Sequence, residues 1–343
     1  MTSSQSRSAL TAEINAACRR ATDWVLQQQR REGVIGDPAH GFKYYRGPWS
    51  FALMGEVDAA LSLCAWIRKN LLTEAGLSGE ARVLRNGWAY RDSALMVGAH
   101  MLGQYDLSLG LVDSLLKWQD PVSGGFANDA SLEGEPSDGM DVPYAAGPGF
   151  ALLATGRIDS AREVASFLQR IYDAQDDLPE RFFCFWSRSK QRPILPTDAA
   201  FEQRFVVESQ TDAMQRWTIG GIAAGFLGRL YLAIPDPAYL ELARRYQDFS
   251  MSSTENQFKY PSACKSSWGA ALLYQITGEE VYERWLLRMA DWYLEGQDAE
   301  GWWHPWVEET TADIIEITLE FIMHLKVLLG ALSSQNTNSP RAN

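Results

Sequence analysis

The chain has 343 residues, of which 46% are hydrophobic and 12% aromatic, so it can fill the core of one large domain or two smaller ones. Its formal net charge of −12, without a cluster of Lys or Arg, repels nucleic-acid phosphates and anionic membranes. We therefore expect no nucleic-acid partner.

The N-terminal segment has no apolar core of the kind that a secretory signal needs, which predicts a cytoplasmic protein with residues 1–8 disordered. The apolar run 217–234 is interrupted by Arg229 and contains four glycines, which favours a buried helix over a membrane span. The four cysteines are far apart without a CxxC pair, which predicts reduced, mostly buried thiols rather than disulfides or a zinc knuckle. They are Cys18, Cys64, Cys184 and Cys264.

A short turn motif, called the Gly mark below, repeats along the chain. It consists of an apolar helix end, then Gly, two residues, Asp and a new helix. It occurs at Gly55, Gly103 and Gly156, and Gly278 begins a looser version. Gly suits a helix end that needs positive φ, and the Asp suits the start of the next helix. Each mark therefore predicts a tight helix-to-helix turn.

Helices that follow a mark are amphipathic, whereas those that precede it are apolar on most sides and rich in small residues, which predicts alternating outer and inner helices. Six such hairpins close into an all-α (α/α)6 barrel, a toroid that forms one domain over residues 9–331. The aromatic and Pro-rich segment 176–210 predicts an inserted β-hairpin lid, and residues 332–343 a disordered tail. The predicted helices are 9–30, 48–54, 58–73, 91–103, 106–119, 142–155, 158–174, 212–233, 236–251, 264–277, 280–296 and 309–331.

The segment 297–302, QDAEGW, resembles the QxxxGxW motif of squalene-type cyclases, and 119–126, QDPVSGGF, is similar to a turn shared by prenyltransferase and sugar-epimerase repeats. The chain thus resembles the α/α-toroid superfamily of terpenoid cyclases, prenyltransferase β subunits, six-hairpin glycosidases and sugar epimerases. The resemblance implies structural roles for Gln297 and Trp302. The DxDD motif of squalene-type cyclases is missing. Residues 176–180 fit the DDxxE pattern of diphosphate-ionising cyclases, but they lie at the end of an outer helix, where acidic turns are common. The resemblance therefore supports the fold without the catalytic motifs of known members.

In such a barrel the N-terminal ends of the inner helices face one pocket, where helix dipoles favour anions and carboxylates. An Asp at a helix start is also a normal N-cap, and this alternative applies to three of the candidates. His304 lies in a loop and could exchange protons near neutral pH, and Asp141 could act as a general acid if aromatic rings enclose it. The candidate catalytic residues are Asp92, Asp141, Asp212 and His304. The candidate substrate-binding residues are Tyr45, Arg46, Trp49, Trp88, Tyr144, Glu208, Trp217, Lys265, Trp268 and Trp303.

Three functions fit these features. The first is a cyclase or isomerase of specialised metabolism that folds a hydrophobic polyene, terpenoid or polyketide intermediate, by proton transfer or by a pericyclic closure. The second is a carbohydrate enzyme, either a glycosidase or a sugar epimerase, in which Trp rings stack on the sugar. The third is a non-catalytic helical-repeat protein. We expect a small-molecule substrate and neither metal nor cofactor, and the sequence leaves open whether the ring forms a homodimer.

Overall fold

The computed structural model describes residues 3–131, 134–305 and 310–334. Its α-helices are α1 (Ser3–Gln27), α2 (Gly47–Met54), α3 (Val57–Asn70), α4 (Trp88–Met101), α5 (Tyr105–Ser108), α6 (Val112–Leu116), α7 (Val142–Ala154), α8 (Ile158–Asp173), α9 (Thr218–Ala233), α10 (Pro237–Ser252), α11 (Cys264–Thr277), α12 (Glu280–Glu295) and α13 (Thr311–Ser334). The short strands are β1 (Leu72–Thr73), β2 (Gly76–Leu77), β3 (Gly139–Asp141), β4 (Arg181–Phe183), β5 (Phe185–Ser187), β6 (Arg192–Pro193) and β7 (Val206–Glu208).

Within the described residues, six helices form an inner ring: α2, α4, α7, α9, α11 and α13. Each contacts the next in this order, and α13 closes the ring against α2. The remaining helices, α1, α3, α5 with α6, α8, α10 and α12, pack outside this ring. The architecture is the predicted α/α toroid with small β-hairpins, and the alternation of inner and outer helices is confirmed.

The Gly marks end helices as predicted, since Gly55, Gly103, Gly156 and Gly278 all have positive φ. The inner helices need small residues because they approach one another closely. A Cβ on Gly221 of α9 would lie 2.0 Å from the carbonyl oxygen of Lys265 in α11. The apolar run 217–234 is this buried inner helix α9, and no helix among the described residues has the length and apolarity of a membrane span.

The QxxxGxW motif links the first and last hairpins. The Gln297 side-chain amide donates hydrogen bonds to the carbonyl oxygens of Ala17 in α1 (2.9 Å) and Gly301 (2.8 Å). Gly301 has φ of 103°, and a Cβ there would lie 2.7 Å from the Arg20 carbonyl oxygen of α1. Gln119 and Gln29 each donate in the same way to a nearby turn carbonyl and to the adjoining outer helix. The motif therefore fastens successive hairpins together, as the resemblance implied.

The inserted segment 176–210 packs into the body of the protein. Strand β5 pairs with β6 as a hairpin and with β3, in a register that places Phe185 opposite Asp141. Strands β4 and β7 pair with each other, and Phe182 and Val207 on them are fully buried. The hairpin is thus fixed beside the start of α7, where it forms part of the wall around the inner-helix ends.

Several predicted boundaries differ from the structure. Helix α1 begins at Ser3, so it includes most of the segment expected to be disordered. The predicted helix 106–119 is divided into α5 and α6 by a turn around Gly110. The predicted helix 212–233 begins only at Thr218, because residues 212–216 form a loop that leads into the barrel. Residues 335–343 of the predicted tail lie outside the described residues.

Candidate functional site

A cavity of about 590 Å³ lies at the N-terminal ends of the inner helices. The segment before α2, the first turns of α4, α7 and α11, and the start of α9 form its walls, and one face of α13 forms the remaining side. The inserted segment contributes Arg204. The lining residues are Lys43, Tyr45, Arg46, Gly87, Tyr90, Arg91, Pro143, Tyr144, Arg204, Arg216, Thr218, Ser262, Cys264, Lys265, Pro305, Asp313, Glu316, Ile317 and Glu320.

The described lining is rich in charged side chains. It contains six basic side chains, three acidic ones and three tyrosines. Basic groups therefore outnumber acidic ones in the cavity of a protein whose overall formal charge is −12. The starts of α4, α9 and α11 also have no side-chain N-cap, so their N-terminal dipoles add to the positive potential.

The three acids form one stripe on α13, because Asp313, Glu316 and Glu320 follow one another at helical spacings of three and four residues. Glu316 contacts Lys43 Nζ at 2.7 Å and accepts a hydrogen bond of 2.9 Å from the Tyr45 hydroxyl. Burial alone would raise the pKa of Glu316, but Lys43 and other nearby cations lower it to about 2. Glu316 is therefore ionised throughout the physiological range.

Deeper in the same cavity, Lys265 of α11 meets Glu320 and His324 of α13. The Lys265 amine contacts the Glu320 carboxylate and lies 3.5 Å from His324 Nε2. The Arg46 guanidinium lies 3.3 Å from the other Glu320 oxygen. Burial lowers the pKa of Lys265 to about 7, and burial together with the Lys265 and Arg46 charges keeps the pKa of His324 well below its usual range. This cluster can exchange a proton near neutral pH.

Cys264, Glu320 and His324 form the one group of described residues whose donor atoms are close enough to hold a metal ion, since they all lie within 4.8 Å of one another. A Cys, Glu and His set would suit zinc. The Lys265 amine, however, already contacts Glu320 and lies beside His324. A metal ion there would require this amine to move, so the arrangement fits an ion-paired lysine better than a metal.

Asp141, a predicted acid, is fully buried behind the cavity wall. One carboxylate oxygen accepts a hydrogen bond of 2.8 Å from the Tyr144 amide at the start of α7, and the other lies 2.6 Å from the Arg216 guanidinium. Burial raises the pKa of Asp141, and the Arg216 charge opposes that effect. The residue thus caps α7 and holds Arg216, which itself lines the cavity.

The structure brings six of the other predicted residues together. Tyr45, Arg46, Tyr144 and Lys265 line the cavity. Beneath them, Trp49 and Trp268 pack with Phe150 into an aromatic floor, in which the Phe150 and Trp268 rings stack with centroids 4.2 Å apart. This floor leaves a space of only about 20 Å³.

Two of the three expected N-caps are not caps. Asp92 lies within α4, whose N-cap is Gly87, and its carboxylate forms a two-point ion pair with Arg82 (3.0 and 2.7 Å). Asp212 is exposed, lies before α9 and accepts a hydrogen bond from Asn256. Neither residue is part of the described cavity lining. The boundaries of α4 and α9, one starting earlier and the other later than expected, explain both differences.

The remaining predicted residues lie away from the lining. The Trp88 ring packs against Trp118, and buried Trp303 donates a hydrogen bond to the Tyr293 carbonyl oxygen. Glu208 ends strand β7, and Trp217 is buried before α9. His304 is exposed, with its ring centroid 4.6 Å from that of Trp302, while Pro305 next to it lines the cavity.

Sequence reasoning did not select Lys43, Arg204, Glu316, Glu320 or His324. A signal for three of them is present in the sequence. Glu316, Glu320 and His324 follow Asp313 at a repeat of three or four residues, which places them on one face of an apolar inner helix. Charged groups on an inner helix have no solvent to face, so this stripe indicates a polar cavity.

The fold resembles solved structures of several enzymes. A D-mannose isomerase has a TM-score of 0.68 at 13% identity, over 94% of this chain and 97% of that chain. A family 76 glycoside hydrolase (mannosidase) from Bacteroides thetaiotaomicron gives 0.63 at 13%, over 94% and 99%. A type II terpene cyclase from Scytonema gives 0.62 at 11%, also over 94% and 99%. These similarities show the shared α/α-toroid fold. Neither the protein-family models nor the curated proteins searched gave a match.

Proposed function

We propose that the protein is an isomerase or epimerase of a polar, sugar-like small molecule, acting by proton transfer in the cavity at the inner-helix ends. The observation that carries the proposal is the buried cluster of Lys265, Glu320 and His324, which opens onto a lining of charged groups and tyrosines. A sugar presents several hydroxyl groups, and each can pair with such a lining.

The proposed reaction moves a proton between neighbouring carbons of a hydroxycarbonyl substrate. The neutral Lys265 amine removes a proton from the carbon beside the carbonyl group, and the electron pair moves onto the carbonyl oxygen. Arg46 lines the same cavity and stabilises the resulting oxyanion. For isomerisation, the proton of the neighbouring hydroxyl group passes to this oxyanion, and the Lys265 ammonium returns the first proton to the former carbonyl carbon. For epimerisation, the intermediate turns within the cavity, and the Lys265 ammonium returns the proton to the original carbon from the other face.

The lining supports a carbohydrate substrate over the hydrophobic polyene of the first hypothesis. A polyene would have to bury its chain against the charged groups of the cavity, which would lose their hydration without gaining partners. The aromatic surface that such a substrate needs is present in the floor of Trp49, Phe150 and Trp268, but these rings are packed against one another. Similarity to an isomerase, a mannosidase and a terpene cyclase is compatible with either substrate class.

The proposal can be tested by solvent exchange. The protein is incubated in D2O with a panel of aldoses, ketoses, uronic acids and hexose phosphates, and loss of C–H signal beside the carbonyl group is followed by proton NMR. We expect deuterium incorporation into at least one sugar with the natural protein and none with Lys265→Met. Lys69→Met, at an exposed position near the end of α3, is the matched control and should retain the exchange.

Absence of exchange across the whole panel would contradict the proposal. Conversion of a polyene, with no exchange into any sugar, would favour the cyclase hypothesis instead. Exchange that continues at the natural rate in Lys265→Met would contradict the role of Lys265 while leaving the substrate class in place.

A further inference from the structure

Three arginines from separate parts of the chain line one cavity. Arg91 lies in the first turn of α4, Arg204 belongs to the inserted segment, and Arg216 precedes α9. The guanidinium carbons of Arg204 and Arg216 lie 5.8 and 4.9 Å from the centroid of the same ring, that of Phe185. The Arg216 guanidinium also lies 5.7 Å from the centroid of Tyr144. Two of the cationic groups thus converge on one aromatic wall.

The fold fixes this arrangement through the insertion. Strand β5 is in register with β3, which places Phe185 opposite Asp141, the partner of Arg216. The Phe185 ring stacks on Phe205, with centroids 4.0 Å apart, and Arg204 is the adjacent residue. The insertion therefore delivers a cation to the mouth of a cavity that the barrel alone would leave with Arg91 and Arg216.

The charges on this wall are only partly neutralised by the protein. Arg204 pairs with Glu202, whose side chain is 54% exposed, and Arg216 pairs with Asp141. Arg91 is 9% exposed, donates to the Asn86 carbonyl oxygen and forms no ion pair with the described residues. The Arg91 charge helps to lower the pKa of Glu316, but a buried guanidinium without a direct ion pair among the described residues is costly unless a ligand supplies the negative charge.

A second observation in the same cavity also points to an anion. The Ser262 side chain lines the cavity directly before α11, is 1% exposed, and its hydroxyl has no hydrogen-bond partner among the described residues. Gly87 and Thr218 at the starts of α4 and α9 also line it, and neither helix has a side-chain N-cap. Helix starts and arginine side chains are the groups that proteins use to bind carboxylates and phosphates.

We infer that the substrate carries an anionic group, a carboxylate or a phosphate ester, and that Arg91, Arg204 and Arg216 bind it. The inference rests on the proposed function and narrows its substrate class to acidic sugars such as uronic acids or sugar phosphates. Because Arg204 belongs to the inserted segment, this segment gives the site its preference for a negatively charged substrate. Arg46 and Lys265 contact Glu320 and are not needed to bind the anionic group. They can therefore act at the reacting carbons.

The test is calorimetric titration of the full-length protein with D-glucuronate, D-glucose 6-phosphate, inorganic phosphate and neutral D-glucose. We expect at least one anionic sugar to bind about tenfold or more tightly than glucose, as a charge-assisted hydrogen bond allows. The preferred anion distinguishes a carboxylate site from a phosphate site. Raising the salt concentration should weaken anion binding and leave glucose binding unchanged.

Variants Arg91→Gln and Arg204→Gln should each lose about tenfold in affinity for the preferred anion while their affinity for glucose stays the same. Arg162→Gln, on the exposed side of outer helix α8, is the control and should bind as the natural protein does. Because Arg204 is on the surface, its substitution should leave folding intact.

Equal affinity for glucose and the anionic sugars, or unchanged anion affinity in both arginine variants, would overturn the inference. If a neutral sugar such as glucose nevertheless undergoes solvent exchange, the proposed function stands and only the inference of an anionic substrate fails. Absence of binding by every sugar in the titration, together with absence of exchange, would overturn both.

Discussion

Lys265 Nζ on α11 lies 3.5 Å from His324 Nε2 on α13, so two basic groups face each other across the seam between α11 and α13. Both are buried, and Glu320 contacts the lysine and lies 3.5 Å from the histidine. Two cations this close would repel each other. The seam is therefore stable only with the Glu320 charge between them and with His324 neutral.

The first prediction concerns Glu320→Gln. The substitution removes the carboxylate that Lys265 and Arg46 share, which leaves Lys265 without an ion-pair partner among the described residues and Arg46 with Glu316 alone. We expect the free energy of unfolding to fall by about 3 to 5 kcal/mol, as for loss of one partner from a buried ion pair. Urea denaturation at pH 7 measures the change, and Glu13→Gln on an exposed position of α1 is the control. A loss no larger than that of the control would show that the seam is not held by this charge.

The second prediction concerns Glu316 and acid. Its folded pKa of about 2 lies below its ordinary value of 4.5, so its ionisation stabilises the fold above pH 4.5 and the effect is lost as the pH falls toward 2. The shift corresponds to about 3 kcal/mol. We expect Glu316→Gln to be less stable at pH 7 and to lose less stability between pH 4.5 and 2 than the natural protein.

Unfolding by urea at several pH values checks this prediction, with Glu300→Gln at an exposed turn as the matched control. The same acid dependence in the natural protein and in Glu316→Gln would show that ionisation of Glu316 contributes nothing to stability.

Asp141→Asn separates a structural role from a catalytic one. An Asn side chain can still cap α7, but it leaves Arg216 without its charge partner, so we expect a loss of about 3 kcal/mol in unfolding free energy. Because Asp141 does not line the described cavity but holds Arg216, the folded fraction should still turn over substrate, with weaker substrate binding. Unchanged stability with abolished turnover would instead support the general-acid role suggested by the sequence.

Gln297→Ala tests the fastening of the last hairpin to the first. The variant loses hydrogen bonds to Ala17 and Gly301 and should be destabilised by about 1 to 3 kcal/mol, without a change in substrate affinity. Thermal unfolding and substrate titration measure the two quantities. Gln27→Ala, exposed at the end of α1, should change stability by no more than about 0.5 kcal/mol. A similar effect of both substitutions would remove the structural role of the motif.

The sequence was sufficient to predict the fold because the signals for helix ends and helix contacts come from single residues and their neighbours in the chain. Each Gly mark ends a helix at positive φ, and small residues such as Gly221 record where inner helices touch. It also indicated correctly that the inner-helix starts form the cavity, as Tyr45 and Lys265 show.

The sequence was insufficient for choosing individual side chains, because a shift of one residue rotates a helical side chain by about 100°. Asp92 and Tyr90 are two residues apart in α4, yet Tyr90 lines the cavity and Asp92 pairs with Arg82. The acid stripe of α13 was missed for a different reason. The barrel architecture predicts pocket residues at helix starts, whereas Glu320 lies in the third turn of its helix.

The pH dependence of solvent exchange tests the central claim, that Lys265 transfers the proton, most directly. With the pKa of Lys265 lowered to about 7, the neutral amine predominates only above that pH. We expect the exchange rate to rise through pH 7 and then become constant, and we expect Lys265→Arg, which stays protonated, to show no exchange at any of these pH values. A rate that is independent of pH between 6 and 8, or undiminished exchange in Lys265→Arg, would contradict it.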